Sequence, residues 1–149
     1  MYVLVKKRFD NKIYLKYSEN EVVENVNDIK HDFIRETLKF MKIDYGLEII
    51  NWADIPTKGT GLGSSSSFLV GLLTALHTLN GNIATKEQVS KEACHIEVNL
   101  CNKPIGCQDQ MAAAYGGINQ MTFKQDVKTG DHRRVTKFKF TDDELHKVS

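Results

Sequence analysis

The chain carries almost no surplus of charge: 20 lysines and arginines face 19 aspartates and glutamates, leaving a net charge of +1 over 149 residues. That balance argues against a surface made to hold nucleic acid or an anionic membrane. No apolar run approaches the roughly 20 residues that cross a bilayer, and the N-terminus lacks the small-residue cleavage site of a signal peptide. Cys94, Cys101 and Cys107 are odd in number and form no C-x-x-C pair. Free thiols in a reducing compartment are therefore expected, not a disulfide framework. The length admits one core and is too short for two ordinary domains. The expectation is a single soluble domain over residues 1–149, located in the cytoplasm.

Two further absences concern the segment Pro56-Thr57-Lys58-Gly59-Thr60-Gly61-Leu62-Gly63-Ser64-Ser65-Ser66-Ser67. No lysine follows Gly63, which excludes a Walker A loop, and glycines at 59, 61 and 63 miss the G-x-G-x-x-G spacing of dinucleotide-binding folds. A flexible Gly/Ser linker is the plain alternative. It fits poorly, because Leu62 interrupts the run, and Phe68, Leu69, Leu72, Leu73, Leu76 and Leu79 follow at helical spacing with no polar spacer. A glycine-rich turn that runs directly into a helix is a place to hold a phosphate. First-turn N–H groups and the helix dipole favour anions, glycines let the backbone approach closely, and serine hydroxyls add donors.

The pattern Pro-x-x-x-Gly-Leu-Gly-Ser-Ser resembles the second signature of the GHMP kinases, the superfamily of galactose, homoserine, mevalonate and phosphomevalonate kinases. A second match lies downstream. Glu97 is followed by Asp109 within Lys103-Pro104-Ile105-Gly106-Cys107-Gln108-Asp109-Gln110, then by Ala112-Ala113-Ala114-Tyr115-Gly116-Gly117-Ile118-Asn119. Within the superfamily the arrangement is most similar to the branch that phosphorylates D-glycero-D-manno-heptose 7-phosphate at its anomeric oxygen. Cys107 departs from that branch, where a basic residue is expected. The resemblance covers about Trp52 to Phe123 well and the flanks loosely. It implies an α+β fold in which a small mixed sheet is covered by helices and the phosphate loop joins strand to helix.

The resemblance also implies roles. ATP and Mg²⁺ are the expected cofactors. Pro56, Gly59, Thr60, Gly61, Leu62, Gly63, Ser64, Ser65 and Ser66 would hold the nucleotide, and Ser65 and Glu97 would share Mg²⁺ with the β- and γ-phosphates. Asp109 would face the acceptor hydroxyl as general base or orienting group, with Gly116 and Gly117 beside the sugar phosphate. Phosphoryl transfer is mostly positioning and charge neutralisation, and this inventory of amides, metal and two carboxylates meets that need. Carboxylates are weak bases, so the worth of such an aspartate lies in its location. Plainer readings stand beside these. Glu97 lies in a helix of mixed charge where a solvated glutamate is usual, Asp109 follows Gly106 near a helix start and could cap it, and Ser64 to Ser67 are ordinary cap material.

Other constellations are weaker. His95-Ile96-Glu97 with later Pro104 and Cys107 evokes the H-x-E and P-C-x-x-C of zinc deaminases, but the thiolate pair is missing. His31, His77, His132 and His146 are scattered without ligand spacing. Trp52 reads as a strand residue in the core, with ring stacking on adenine or sugar as the alternative. Lys6, Lys7 and Arg8 read as a charged strand edge.

Alternating Tyr2 to Lys7 and Lys12 to Tyr17 around Asp10-Asn11 predict a hairpin. A helix is expected over Asp28 to Met41, a strand over Leu47 to Trp52, and a helix from about Leu62 to Leu79. Thr85-Lys86-Glu87-Gln88 is a capping box opening a helix to about Leu100. Asp109 to Tyr115 predicts a short helix broken by Gly116-Gly117, then strands over Ile118 to Phe123 and Arg133 to Phe140. Thr141-Asp142-Asp143-Glu144 is another capping box close to Ser149. Set against the family it resembles, the chain is expected to be a central part of a kinase, lacking an N-terminal strand and loop and a C-terminal half with a third glycine-rich motif. Apolar surface exposed in this way would favour self-association. The other enzyme readings are a galactose- or fucose-type kinase. A non-catalytic nucleotide-binding module is the reading outside enzymes.

Overall fold

The segment Leu47–Trp52 forms the strand around which the sheet is organised. In the computed structural model, which describes residues 1–53, 63–122 and 134–136, the chain runs as β1 (Tyr2–Lys7), β2 (Ile13–Lys16), β3 (Asn20–Val23), α1 (Asp32–Phe40), β4 (Leu47–Trp52), α2 (Ser64–Leu79), α3 (Lys86–Cys94), α4 (Gln108–Tyr115), β5 (Gln120–Thr122) and β6 (Arg134–Thr136). A 3₁₀ turn, Val26–Asp28, precedes α1, and a π-helical segment, His95–Leu100, continues α3. Contacts divide the chain into one unit over Met1–Ala114 and a second over Tyr115–Ser149. The fold is mixed α+β.

The first unit holds a sheet of order β1-β4-β2-β3. β4 pairs antiparallel with β1, Tyr2 opposite Trp52 and Lys7 opposite Leu47, and parallel with β2, Ile13 opposite Leu47. The hairpin expected between β1 and β2 is therefore not formed. β4 lies between them, and the residues around Asp10 carry the chain across one strand width on each side, roughly 10 Å in all. A short polar turn between two alternating runs satisfies a hairpin locally, and the competing non-local partner is invisible at that range. The hairpin that does form joins β2 to β3, Ile13 opposite Val23, and β3 was not anticipated. β1 is an end strand, as its basic residues suggested. Lys6 pairs with Glu48 at 2.9 Å, and Arg8 grips Asp10 with two bonds of 2.8 Å.

Strand parity decides which side chains are buried. Leu47 and Ile49 point into the core with Ile13 and Leu15, and Glu48, Ile50 and Trp52 point the other way. Trp52 is 72% exposed, which corrects its expected place in the core. The helices cover the inner face. Phe68, Leu72 and Leu76 of α2 join Ile34 and Leu38 of α1 against those strand residues. A second stripe of α2, formed by Leu69, Val70 and Leu73, packs on Val89 and Ala93 of α3 and on Ile96. α2 is thus clamped on two sides, and the bond between His77 and Glu92, 2.7 Å, ties its far end to α3. Leu72 and Leu73 are both fully buried, so Leu72→Ala is expected to cost about 2–5 kcal/mol in chemical denaturation. Trp52→Ala in the same assay should stay within about 0.5 kcal/mol.

The helix ends bear out the expected signals in part. Thr85 Oγ1 accepts from the Gln88 N–H at 3.1 Å, the predicted cap. The helix expected at Asp28 starts at Asp32 instead, because Val26–Asp28 is already used by the 3₁₀ turn capped by Asn25. In the second unit β5 and β6 pair antiparallel, Met121 opposite Val135. The capping box at Thr141 lies outside the described residues.

Candidate functional site

The N-terminus of α2 is built without a side-chain cap. Gly63, at its N-cap, sits in the left-handed region with φ of 63° and offers no capping group. The helical ladder is under way at the bond from the Ser67 N–H to the Gly63 carbonyl, 2.9 Å. By helix geometry the first-turn N–H groups of Ser65 and Ser66 have no acceptor within the helix. They form, with the dipole, the anion-seeking end foreseen from the glycine-rich run. β4 ends at Trp52 and α2 begins at Ser64, so the run does join strand to helix. Pro56, Gly59, Thr60, Gly61 and Leu62 lie outside the described residues.

Ser66 and Ser65 part company. Ser66 leads the stripe of Leu69, Val70 and Leu73, at i+3, i+4 and i+7, and so faces the π-helical segment. It is 2% exposed, and its hydroxyl donates to Glu97 Oε2 at 2.8 Å. Ser65 is exposed on the same turn. The hydroxyl brought to Glu97 is therefore that of Ser66, one position beyond the serine paired with it in the motif.

Glu97 lies on the widened part of the helix that begins as α3. The Cys101 N–H reaches back five residues to the Ile96 carbonyl at 2.8 Å, and the Lys103 N–H bonds the Glu97 carbonyl at 3.1 Å. Such π turns re-aim side chains and recur at functional sites. Glu97 is 2% exposed, far from the solvated glutamate of the plain reading. Its Oε2 also accepts from Gln110 Nε2 at 2.6 Å, and Gln110 is fully buried. Among the described residues Glu97 forms no ion pair. A carboxylate sunk among neutral donors is costly unless a cation completes its surroundings. The residues present therefore fit Mg²⁺, which is held by one or two carboxylates plus phosphate oxygens and not by a full protein cage. Among the described residues no group of three or more His, Cys, Asp or Glu side chains gathers.

Asp109 stands one residue before Gln110 on α4 and is exposed. A Cβ placed on Gly63 would lie 3.2 Å from its Cγ and Oδ2. Asp109 thus rests on the start of α2. Gly63→Ala combines left-handed strain of about 1–2 kcal/mol with pressure on Asp109. A drop in thermal midpoint of roughly 2–8 °C is expected, read by calorimetry. Gly116 and Gly117 follow α4 with φ of 61° and 68°, ending the helix as predicted. The Asn119 side-chain amide donates to both of their carbonyls, at 3.0 and 3.2 Å.

The zinc-deaminase constellation does not assemble. His95 is exposed, with its ring 5.8 Å from that of Phe40, and Cys94, Cys101 and Cys107 form no disulfide. Burial first, then the nearby Glu36 and Asp32 carboxylates, push the Cys101 thiol up to about 11, away from the thiolate a metal requires. A cleft of about 270 Å³ opens elsewhere, between Asn11, Glu24, Asp44 and Tyr45 among others, and no candidate residue lines it.

The profile of the GHMP kinases N terminal domain matches residues 29–117, and the chain belongs to that family. It is 30% identical over 117 residues to the D-glycero-alpha-D-manno-heptose 7-phosphate kinase of Campylobacter jejuni, covering 76% of this chain and 34% of that protein. Its fold matches a D-glycero-D-manno-heptose 1-phosphate kinase from Bacteroides thetaiotaomicron with a TM-score of 0.78 at 22% identity, over 93% of this chain and 48% of the other. The Methanococcus jannaschii mevalonate kinase matches with a TM-score of 0.65 at 22% identity, over 78% of this chain and 42% of the other. The chain therefore spans about a third of that curated relative and about half of those solved structures.

Gln110 escaped the sequence reading, as did the choice of Ser66. The signal for Ser66 was present, in its register with Leu69, Val70 and Leu73. For Gln110 there was only its place after Asp109.

Proposed function

We propose that this chain is the nucleotide-binding part of an ATP-dependent sugar kinase, working in the cytoplasm on a sugar phosphate. The anomeric hydroxyl of D-glycero-D-manno-heptose 7-phosphate is the leading acceptor. What carries the reading is the convergence on Glu97: Ser66 from the phosphate-binding helix and Gln110 from the turn that bears Asp109 both bond one buried carboxylate.

In this reading the amides of Ser65 and Ser66 bind the phosphate oxygens of ATP. Glu97, with the Ser65 hydroxyl from the first turn of α2, would hold Mg²⁺, which would supply charge neutralisation for the phosphates. Asp109 orients the acceptor hydroxyl and takes its proton as the oxygen bonds to the γ-phosphorus and the bond to the β-phosphate oxygen breaks. Packing of Asp109 on Gly63 fixes the distance between the acceptor side and the phosphate side, which is the main source of rate in such reactions.

The second reading is a module that binds nucleotide without turning it over. Calorimetric titration with ATP, with and without Mg²⁺, tests both. Saturable Mg²⁺-dependent binding together with turnover on heptose 7-phosphate supports the kinase, and binding without turnover on any sugar supports the module. Turnover on galactose or fucose instead moves the substrate and keeps the chemistry. No binding removes both readings. Self-association through apolar surface such as Trp52, Leu4 and Tyr2, all more than half exposed, is checked by sedimentation. A monomer that unfolds cooperatively argues against it.

A further inference from the structure

Gln110 is a buried polar side chain that the proposed reaction does not use. It is fully buried, its Nε2 donates to Glu97 Oε2 at 2.6 Å, and among the described residues its Oε1 meets no partner. An amide buried with half its capacity unmet is costly, and the half that is met is the bond to Glu97. The orientation is fixed by chemistry, because an ionised carboxylate only accepts and the NH₂ must face it. Ser66 Oγ donates to the same oxygen at 2.8 Å. Two donors on one carboxylate oxygen occupy its lone pairs and leave metal coordination to Oε1. The carboxylate of Glu97 is thus held in rotation from both sides, by the helix that binds phosphate and by the turn that bears Asp109.

We propose that Gln110 is a positioning residue that sets Glu97 for single-oxygen coordination of the nucleotide's divalent cation. By standing next to Asp109 it couples the metal side of the site to the acceptor side. This rests on the reading of Glu97 as the metal-holding carboxylate. Outer partners of metal ligands act in this way, and their loss costs about 10–100-fold in metal affinity. Nearly isosteric Gln110→Met removes both amide functions while preserving volume.

The test is Mn²⁺ binding to the chain in the presence of a non-hydrolysable ATP analogue, read by the Mn²⁺ EPR spectrum, with Glu97→Gln as the reference variant. Gln110→Met is expected to weaken Mn²⁺ affinity about 10–100-fold and alter the spectrum, while affinity for the analogue in EDTA stays within about twofold. Mn²⁺ affinity unchanged in Gln110→Met but lost in Glu97→Gln overturns the role of Gln110 and leaves Glu97 standing. Affinity unchanged in both overturns the reading of Glu97 itself. A second readout covers the case in which Gln110→Met does not fold. In the unaltered chain the Gln110 side-chain amide protons should exchange slowly and shift in NMR when Mg²⁺ is added to the nucleotide complex. Resonances unmoved by the metal overturn the proposal.

Discussion

Asp109→Asn is expected to lower phosphoryl transfer by about 10²–10⁴-fold in a preparation that turns over, the range contributed by a positioned proton acceptor. The asparagine keeps the size of the side chain and its rest on Gly63, where Cγ and Oδ2 lie 3.2 Å from the position of a Cβ. Nucleotide affinity should therefore hardly change. The loss falls on kcat, because the interaction is made with a hydroxyl whose proton leaves only in the transition state. Steady-state kinetics with calorimetry of ATP binding check this. A variant that retains kcat makes Asp109 an acidic residue of the first turn of α4 and nothing more.

Glu97→Gln should reduce affinity for the metal–nucleotide complex about 100-fold or more, beyond what loss of an outer partner costs, while leaving metal-free nucleotide binding in place. A second expectation separates function from packing. Glu97 is 2% exposed and forms no ion pair among the described residues, so its charge is a burden on the metal-free fold. The neutral, equally sized glutamine should leave the metal-free thermal midpoint unchanged or raise it. Glu97 would then belong with site residues whose function costs stability. A fall as large as that from truncating a core leucine would instead make it part of the scaffold.

Helix α2 was legible from its residues because Phe68, Leu72 and Leu76 and the stripe of Leu69, Val70 and Leu73 recur at helical spacing and Gly63 precedes them. The start of α3 was legible because its cap is chemical and local, Thr85 accepting from Gln88. Parity would also have placed Trp52 outside, since it shares a face with Glu48 and Ile50. The sheet order was not legible: the insertion of β4 between β1 and β2 depends on pairings across some 30 to 50 residues, while the run around Asp10-Asn11 looks like a hairpin at short range. The π turn left no trace in composition, because a shift of one hydrogen bond from i−4 to i−5 needs no special residue. Yet it accompanies the burial of Glu97. Gln110 was hidden for a related reason. A glutamine next to an aspartate reads as a wet surface pair, and only the fold reveals that one faces solvent and the other the core.

Amide NMR of the chain titrated with Mg²⁺ and a non-hydrolysable ATP analogue tests most directly whether the start of α2 holds the nucleotide phosphates. The backbone resonances of Gly63, Ser64, Ser65 and Ser66 should move together and saturate with the ligand. If the ligand binds and shifts resonances elsewhere while those four stay in place, the nucleotide lies in another part of the chain.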